Sequence, residues 1–120
     1  MKLTLLNFKN IPIAILESID APISSLQDAL DLISDADYHN AQKIMIKREH
    51  LGKDFFNIDT KLAANITEKM REHYKYLMVV GDFSDLKKRS WLEFMQESNK
   101  EGQIMFAEDT QEAVKIFTRD

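Results

Sequence analysis

Between Lys43 and Met70 the chain changes its hydrophobic period, and that change restricts the fold more than any other feature. Ile44-Met45-Ile46 is a short run of apolar residues. A polar turn rich in acids and aromatics follows, from Arg48 to Asp59. Leu62, Ile66 and Met70 then recur at helical spacing, with Ala63 beside Leu62. Three apolar residues alone do not separate strand from helix, so the flanks decide for a strand. The unit reads as strand, turn, helix, with the helix over Thr60 to His73.

The rest of the chain repeats this alternation. Leu3 to Leu6 and Ile11 to Leu16 are strand-like runs divided by Asn7, Lys9 and Asn10, which predicts an antiparallel pair. Pro12 opens the second run, where a missing N–H is best tolerated. Ser24 with Gln27 has capping-box spacing ahead of a helix from Ser25 to Ala36, with Leu26, Leu30 and Ile33 at helical spacing. Tyr76 to Val80 is an unbroken apolar run closed by Gly81-Asp82, as expected of a strand covered on both faces in a parallel sheet. Ser90 with Glu93 predicts a second capping box, and Trp91, Leu92 and Met95 supply that helix's buried face. Asn99 to Gly102 ends it. Ile104-Met105-Phe106 reads as the last strand, and Asp109 with Glu112 starts a last helix that turns Ala113, Ile116 and Phe117 inward.

The expected order is therefore β-β-α-β-α-β-α-β-α. It implies an α/β fold, a single domain over 1–120, with a mixed, mostly parallel five-stranded sheet and helices packed on it. The 120 residues fit one domain, and 44% hydrophobic with 30% charged residues can bury a core. With no cysteine there is no disulfide framework and no thiolate site, which suits a cytoplasmic setting. The apolar run near the N-terminus is too short for a signal peptide or a membrane span. A net charge of −4 argues against a nucleic-acid binder, which would carry a basic face.

In such a sheet, ligands bind outside the carboxyl ends of the strands. The residues expected there include Arg48, His50, Asp54, Asp59, Thr60, Asp82 and Lys87. Asp54, Asp59 and Asp82 have the oxygen chemistry that Mg²⁺ takes, but acids at strand ends and helix starts are also ordinary turn formers and caps. Three scattered histidines make a poor metal site and read as exposed or helix-terminal residues. No metal or cofactor is expected. Lys87-Lys88-Arg89 precedes a helix start that could meet a phosphate, or it is a solvated loop. Phe55-Phe56 is expected to anchor its turn to the core. The six methionines read as packing material. No catalytic nucleophile–base pair, glycine-rich phosphate loop or metalloprotease motif occurs.

The segments ISSLQDALDLISDADY, DFFNIDTKLAANITEKM, VVGDFS and LEFMQESNKEGQIMFAEDTQEAV resemble the bacterial domain-of-unknown-function family numbered 4180, from about Ile13 to Phe117. Its most specific pieces here are Gln27 to Leu32, Asp54-Phe55-Phe56, Gly81-Asp82-Phe83 and Glu97-Ser98-Asn99. Family members tend to carry glycine where this chain has Lys61 and Ala64, and a shorter hydroxyl-rich stretch at Lys87-Lys88-Arg89. That resemblance implies a fold and no activity. More distantly, the element order is similar to the STAS domains of anti-sigma-factor antagonists. Those domains carry an Asp-Ser-Ser-Gly-Leu turn whose second serine is phosphorylated by a partner kinase. Aligned on Leu62, Thr60 takes the phosphorylated position and Asp59 the first serine, while Ile58 replaces the aspartate and Lys61 the glycine.

Two functions follow as expectations. One is a regulatory protein-interaction module without catalysis, docking a protein partner through the turn and the helix near Thr60 and switched by phosphorylation there. The other is a small-molecule binder at the carboxyl edge, using Arg48, His50, Asp59, Asp82 and Lys87; it requires a concave pocket with apolar walls. A homo-oligomer is compatible with either.

Overall fold

The sheet alternates its side chains between two cores, and a computed structural model of the chain, describing residues 1–119, shows how. Strands β1 (Lys2–Phe8), β2 (Ile11–Ser18), β3 (Lys43–Lys47), β4 (Tyr76–Val80) and β5 (Ile104–Ala107) form one sheet in the order β1-β2-β3-β4-β5. β1 pairs antiparallel with β2; all other neighbours are parallel. Ile44, Ile46, Leu77, Val79, Ile104 and Phe106 point into the larger core. Met45 and Met78, between them, point into the smaller one. Both faces of the inner strands are covered, which is why these strands read as continuous apolar runs.

Helices α1 (Leu26–Tyr38), α2 (Leu62–Glu72) and α3 (Arg89–Glu101) supply the larger core. Each connects parallel neighbours, so the sheet order simply follows the chain. α4 (Thr110–Phe117) contributes Ala113 and Phe117 to the smaller core on the other face. Between β3 and α2 the chain makes three 3-10 turns, Arg48–His50, Lys53–Phe56 and Ile58–Thr60. This turn ladder lies across the carboxyl ends of the strands.

The expected elements all form, but three helix starts differ from the sequence expectation. α1 is capped by Ser25, whose Oγ accepts from Asp28 N at 3.1 Å, while Asp28 Oδ2 accepts from Ser24 N at 2.9 Å. The cap thus lies one residue later than predicted from Ser24 and Gln27, and Asp28 reaches back to Ser24 N and not to the cap residue's own N–H. α2 begins at Leu62 and not at Thr60, because Lys61 sits at φ 61°, in the left-handed region. That is a position where the resemblance expects glycine, which adopts this conformation without a Cβ clash. α3 begins at Arg89, one residue before the predicted cap Ser90; Lys88 precedes it with no side-chain cap, and Glu93 pairs with Arg89 at 3.0 Å. Burial of Trp91 in the first turn sets this start. The cap predicted for α4 does form: Asp109 Oδ1 accepts from Glu112 N at 2.8 Å.

Candidate functional site

At the carboxyl edge an aromatic wall fills the space between the turn ladder and α3. Phe55 is 0% exposed and lies edge-on to Phe56, with ring centroids 5.2 Å apart, and to Trp91 at 5.9 Å. Phe106 of β5 and Phe83 of the β4–α3 loop meet edge-to-face at 5.3 Å, and Trp91 stacks on Phe94 at 5.2 Å. Such edge contacts are favourable for ring quadrupoles. Trp91 Nε1 is buried there without a hydrogen-bond partner among the described residues. Phe55-Phe56 therefore anchors the turn, and Gly81-Asp82-Phe83 comes to the same wall.

Arg48 joins the two segments. Its guanidinium lies over Phe56, 5.1 Å from the ring centroid, and over Phe83, at 5.7 Å. Nη1 donates to the Asp82 carbonyl, and Nη1 and Nη2 reach the two carboxylate oxygens of Asp85 at 2.5 and 2.9 Å. A planar fork on a carboxylate suits arginine and not lysine. The bond to Asp85 raises the proton affinity of Arg48 against the opposing effect of burial, and holds the Asp85 carboxyl below its ordinary range. The Asp82 carboxyl is also lowered, chiefly by hydrogen bonds from Ser84, whose N–H donates to Oδ1 at 2.9 Å. Gly81 permits the close approach: a Cβ there would lie 2.8 Å from Arg48 Cβ. An open depression of about 600 Å³ remains, lined by Arg48, Glu49, Lys53, Phe56, Asp82 and Leu86 among others.

Thr60 belongs to a second cluster. Its side chain is exposed, but its hydroxyl lies 2.7 Å from the Asp54 carbonyl and 2.8 Å from the Asn57 carbonyl, to which it donates. The same oxygen accepts from Leu62 N at 3.2 Å, the first helical N–H of α2. Asn57 Oδ1 accepts from Asp59 N at 3.0 Å. Thr60 thus does part of an N-cap's work from one residue before the helix boundary.

The structure brings Arg48 to Asp82, and Asp54 to Thr60. Lys87 is exposed in the loop before α3 and does not itself line the Arg48 depression, although its neighbour Leu86 does. Asp59 is exposed on the turn. His50 is 8% exposed, a correction to its reading as a surface residue, although it does end the Arg48–His50 turn. Its Nδ1 accepts from Lys47 N at 3.0 Å, and the His50 carbonyl accepts from Ile23 N at 2.8 Å, in a short parallel bridge beside Leu51. The local bonding needs of the turn draw the ring inward. Among the described residues no group of three His, Cys, Asp or Glu side chains is placed to hold a metal ion. No helix among them is long and apolar enough to cross a membrane.

Burial lowers the His50 pKa, with a smaller lowering from Lys47 and an opposing pull from Glu49. A histidine depressed in the fold adds stability that is present above its unfolded value, near 6.5, and is lost as pH falls through the folded value. Protonation also removes the Nδ1 lone pair that accepts from Lys47 N. We expect the urea midpoint to fall as pH drops from about 6.5 to 5. His50→Gln should flatten that segment of the profile; an unchanged slope would assign the titration to another group.

Sequence reasoning did not single out Asn57, named Phe83 only within the Gly81-Asp82-Phe83 piece, and placed Asp85 at the carboxyl edge without pairing it with Arg48. Asp85 lies 37 residues from Arg48, and a single sequence carries no sign of such a pairing. Asn57 was legible in principle, since an Asn two residues before a turn N–H is a common side-chain turn former.

No protein of curated function matches the chain. The solved structure of an anti-sigma-factor antagonist (STAS) domain protein from Planctomyces limnophilus is similar over 95% of this chain and 96% of that chain, at 13% identity and a TM-score of 0.44. The family described as Domain of unknown function (DUF4180) matches residues 8–116 and takes in the aromatic wall, Arg48 with its partners and the Thr60 turn; the chain belongs to that family.

Proposed function

We propose that this protein is a non-catalytic, regulatory interaction module that meets a protein partner through the turn ladder and the start of α2, with Thr60 as its switch. The observation that carries this reading is that Thr60 is an exposed residue whose hydroxyl closes the turn onto Asp54, Asn57 and Leu62. Phosphorylation would replace the single hydroxyl proton that the two carbonyls share and end its donation. It would also add a charge of about −1.5 to −2 beside Asp59 and Asp54. The helix N–H groups would partly accommodate that charge, so the turn would change shape and charge while α2 stays folded. A kinase-driven switch of this kind belongs in the cytoplasm.

The alternative reading, a small molecule at the carboxyl edge, is favoured by the depression beside Arg48. There Arg48 is already committed to Asp85 and the aromatic wall fills the space beneath, so a ligand would have to displace Asp85. The test is cross-linking of the protein in its own cells, with recovered partners identified by mass spectrometry. Thr60→Glu should lower recovery of the specific partner at least about 10-fold, with Thr60→Ser keeping it near wild type. Equal recovery by Thr60→Glu would sink the switch.

A further inference from the structure

The two edges of the sheet are finished differently. At β5, Leu77 N donates to Gln103 O and Gly81 N to Ala107 O, so by alternation Ile104 and Phe106 direct their backbone groups outward. Two of those four groups are covered from α3: Ser98 Oγ donates to Ile104 O at 2.5 Å, and Asn99 Oδ1 accepts from Phe106 N at 2.9 Å. At β1 there is no such cover. Lys9 and Asn10, at φ 52° and 68°, make a two-residue turn, so Phe8 and Ile11 form a hydrogen-bonded pair. Alternation then directs Thr4, Leu6 and Phe8 at β2, and the N–H and C=O of Leu3, Leu5 and Asn7 away from the sheet. Pro12, opposite Asn7, agrees with this register because it needs no N–H toward β1. Among the described residues the outward groups have no partner.

Edge strands are usually blunted by proline, inward charge or a central bulge. β1 has no proline, its irregularity is at the Lys2/Leu3 end, and Lys2 and Lys9 stand at its extremities. Between them Leu5 is 37% and Leu6 41% exposed. They lie on opposite faces, Leu6 on the face that the short α4 covers.

We propose that β1 pairs antiparallel with β1 of a second copy of this chain, about a two-fold axis through Leu5, joining the two sheets into one. With Leu5 opposite itself, Leu3 faces the partner's Asn7 and Asn7 faces the partner's Leu3. All three outward residues of each strand then make hydrogen-bonded pairs, about six bonds in all. A slip of two residues either way sets Asn7 or Leu3 against the bulged end or the turn. The same register lays Leu5 on the partner's Leu5 and Leu6 beside the partner's Thr4. Charge agrees too: Lys2 faces the ring of the partner's Phe8, and no like charges oppose each other. This self-complementarity favours a second copy over an unrelated strand. A seven-residue strand about 24 Å long gives a contact smaller than the standard ~800 Å² per partner, so a dimer in about the micromolar range is expected.

Sedimentation equilibrium on the whole chain tests this over about 5–500 µM. The wild type should move from 14.0 kDa toward twice that mass. Leu5→Lys and Leu5→Glu each place like charges on the axis and should weaken association at least about 100-fold, with unchanged circular dichroism. An equimolar mixture of the two variants should dimerise again, since lysine then faces glutamate; that recovery separates lost pairing from lost folding. The proposal is overturned by a wild type that stays at 14.0 kDa throughout, by a dimer that both variants retain, or by natively folded variants whose mixture stays monomeric. It does not depend on the reading of Thr60, which is on the turn ladder.

Discussion

Phe55→Ala should destabilise the protein by about 3–5 kcal/mol, the range for truncating a buried aromatic. Phe55 has no exposed surface, and its ring touches the rings of Phe56, Trp91 and Phe106. The loss has two parts. The transferred apolar area goes, and a cavity remains because the flanking rings are on separate elements and cannot all close on it. The turn suffers as well, since Phe55 is the one fully buried residue of the Lys53–Phe56 turn. Phe56 would then lose its edge partner, and Arg48 would lose part of the platform beneath its guanidinium. Phe56 itself is only half-buried, so Phe56→Ala should cost about 1–2 kcal/mol. Urea unfolding of both variants decides the matter. A smaller shift for Phe55→Ala than for Phe56→Ala would show that the turn is not anchored through Phe55.

That anchor was legible in the sequence because two adjacent aromatics beside an acid, in a polar stretch, have no other common use. The strands were legible for a related reason. Ile44 to Ile46 and Tyr76 to Val80 are apolar at every position because both faces are buried, and the hairpin shows itself in Lys9-Asn10. Helix starts were less legible. Ser24 and Ser90 each have a suitable residue three places on, yet α1 is capped by Ser25 and α3 starts at Arg89 with no side-chain cap, since at α3 the register of Trp91 against the core outweighs a cap worth about 1 kcal/mol. The candidate site was legible only in parts. Arg48 and Asp82 could be placed at the carboxyl edge from strand order alone. The commitment of Arg48 to Asp85, and the burial of His50, come from pairings across the fold or within tight turns, for which hydrophobic period carries no signal. Lys61 is a further case: its left-handed backbone shows in the sequence only as a glycine expected and not found.

Ser98→Ala carries the other large effect, and Asn99→Ala acts with it. Both residues lie in the last turns of α3, which ends at Glu101, and only Asn99 falls in the stretch that reads in sequence as a helix stop. In the fold they replace the strand that β5 lacks, donating to Ile104 O and accepting from Phe106 N. Ser98 is buried, so removing its hydroxyl leaves Ile104 O short of a donor in a dry site, at a cost of about 1–3 kcal/mol. Asn99 is exposed, so water can replace its amide oxygen and Asn99→Ala should cost about 0.5–1.5 kcal/mol. The two bonds close one edge together, so the pair should cost more than the sum of the single changes if either alone keeps α3 seated, a coupling that a double-mutant cycle measures. The double variant has a second consequence. With its outward groups uncovered, β5 becomes a pairing edge like β1, and one molecule then carries two. A closed dimer through β1 would give way to open-ended association, visible as light scattering that grows with concentration below the unfolding midpoint. Stability loss without added association would mean that the body of α3, and not these two side chains, keeps the β5 edge closed.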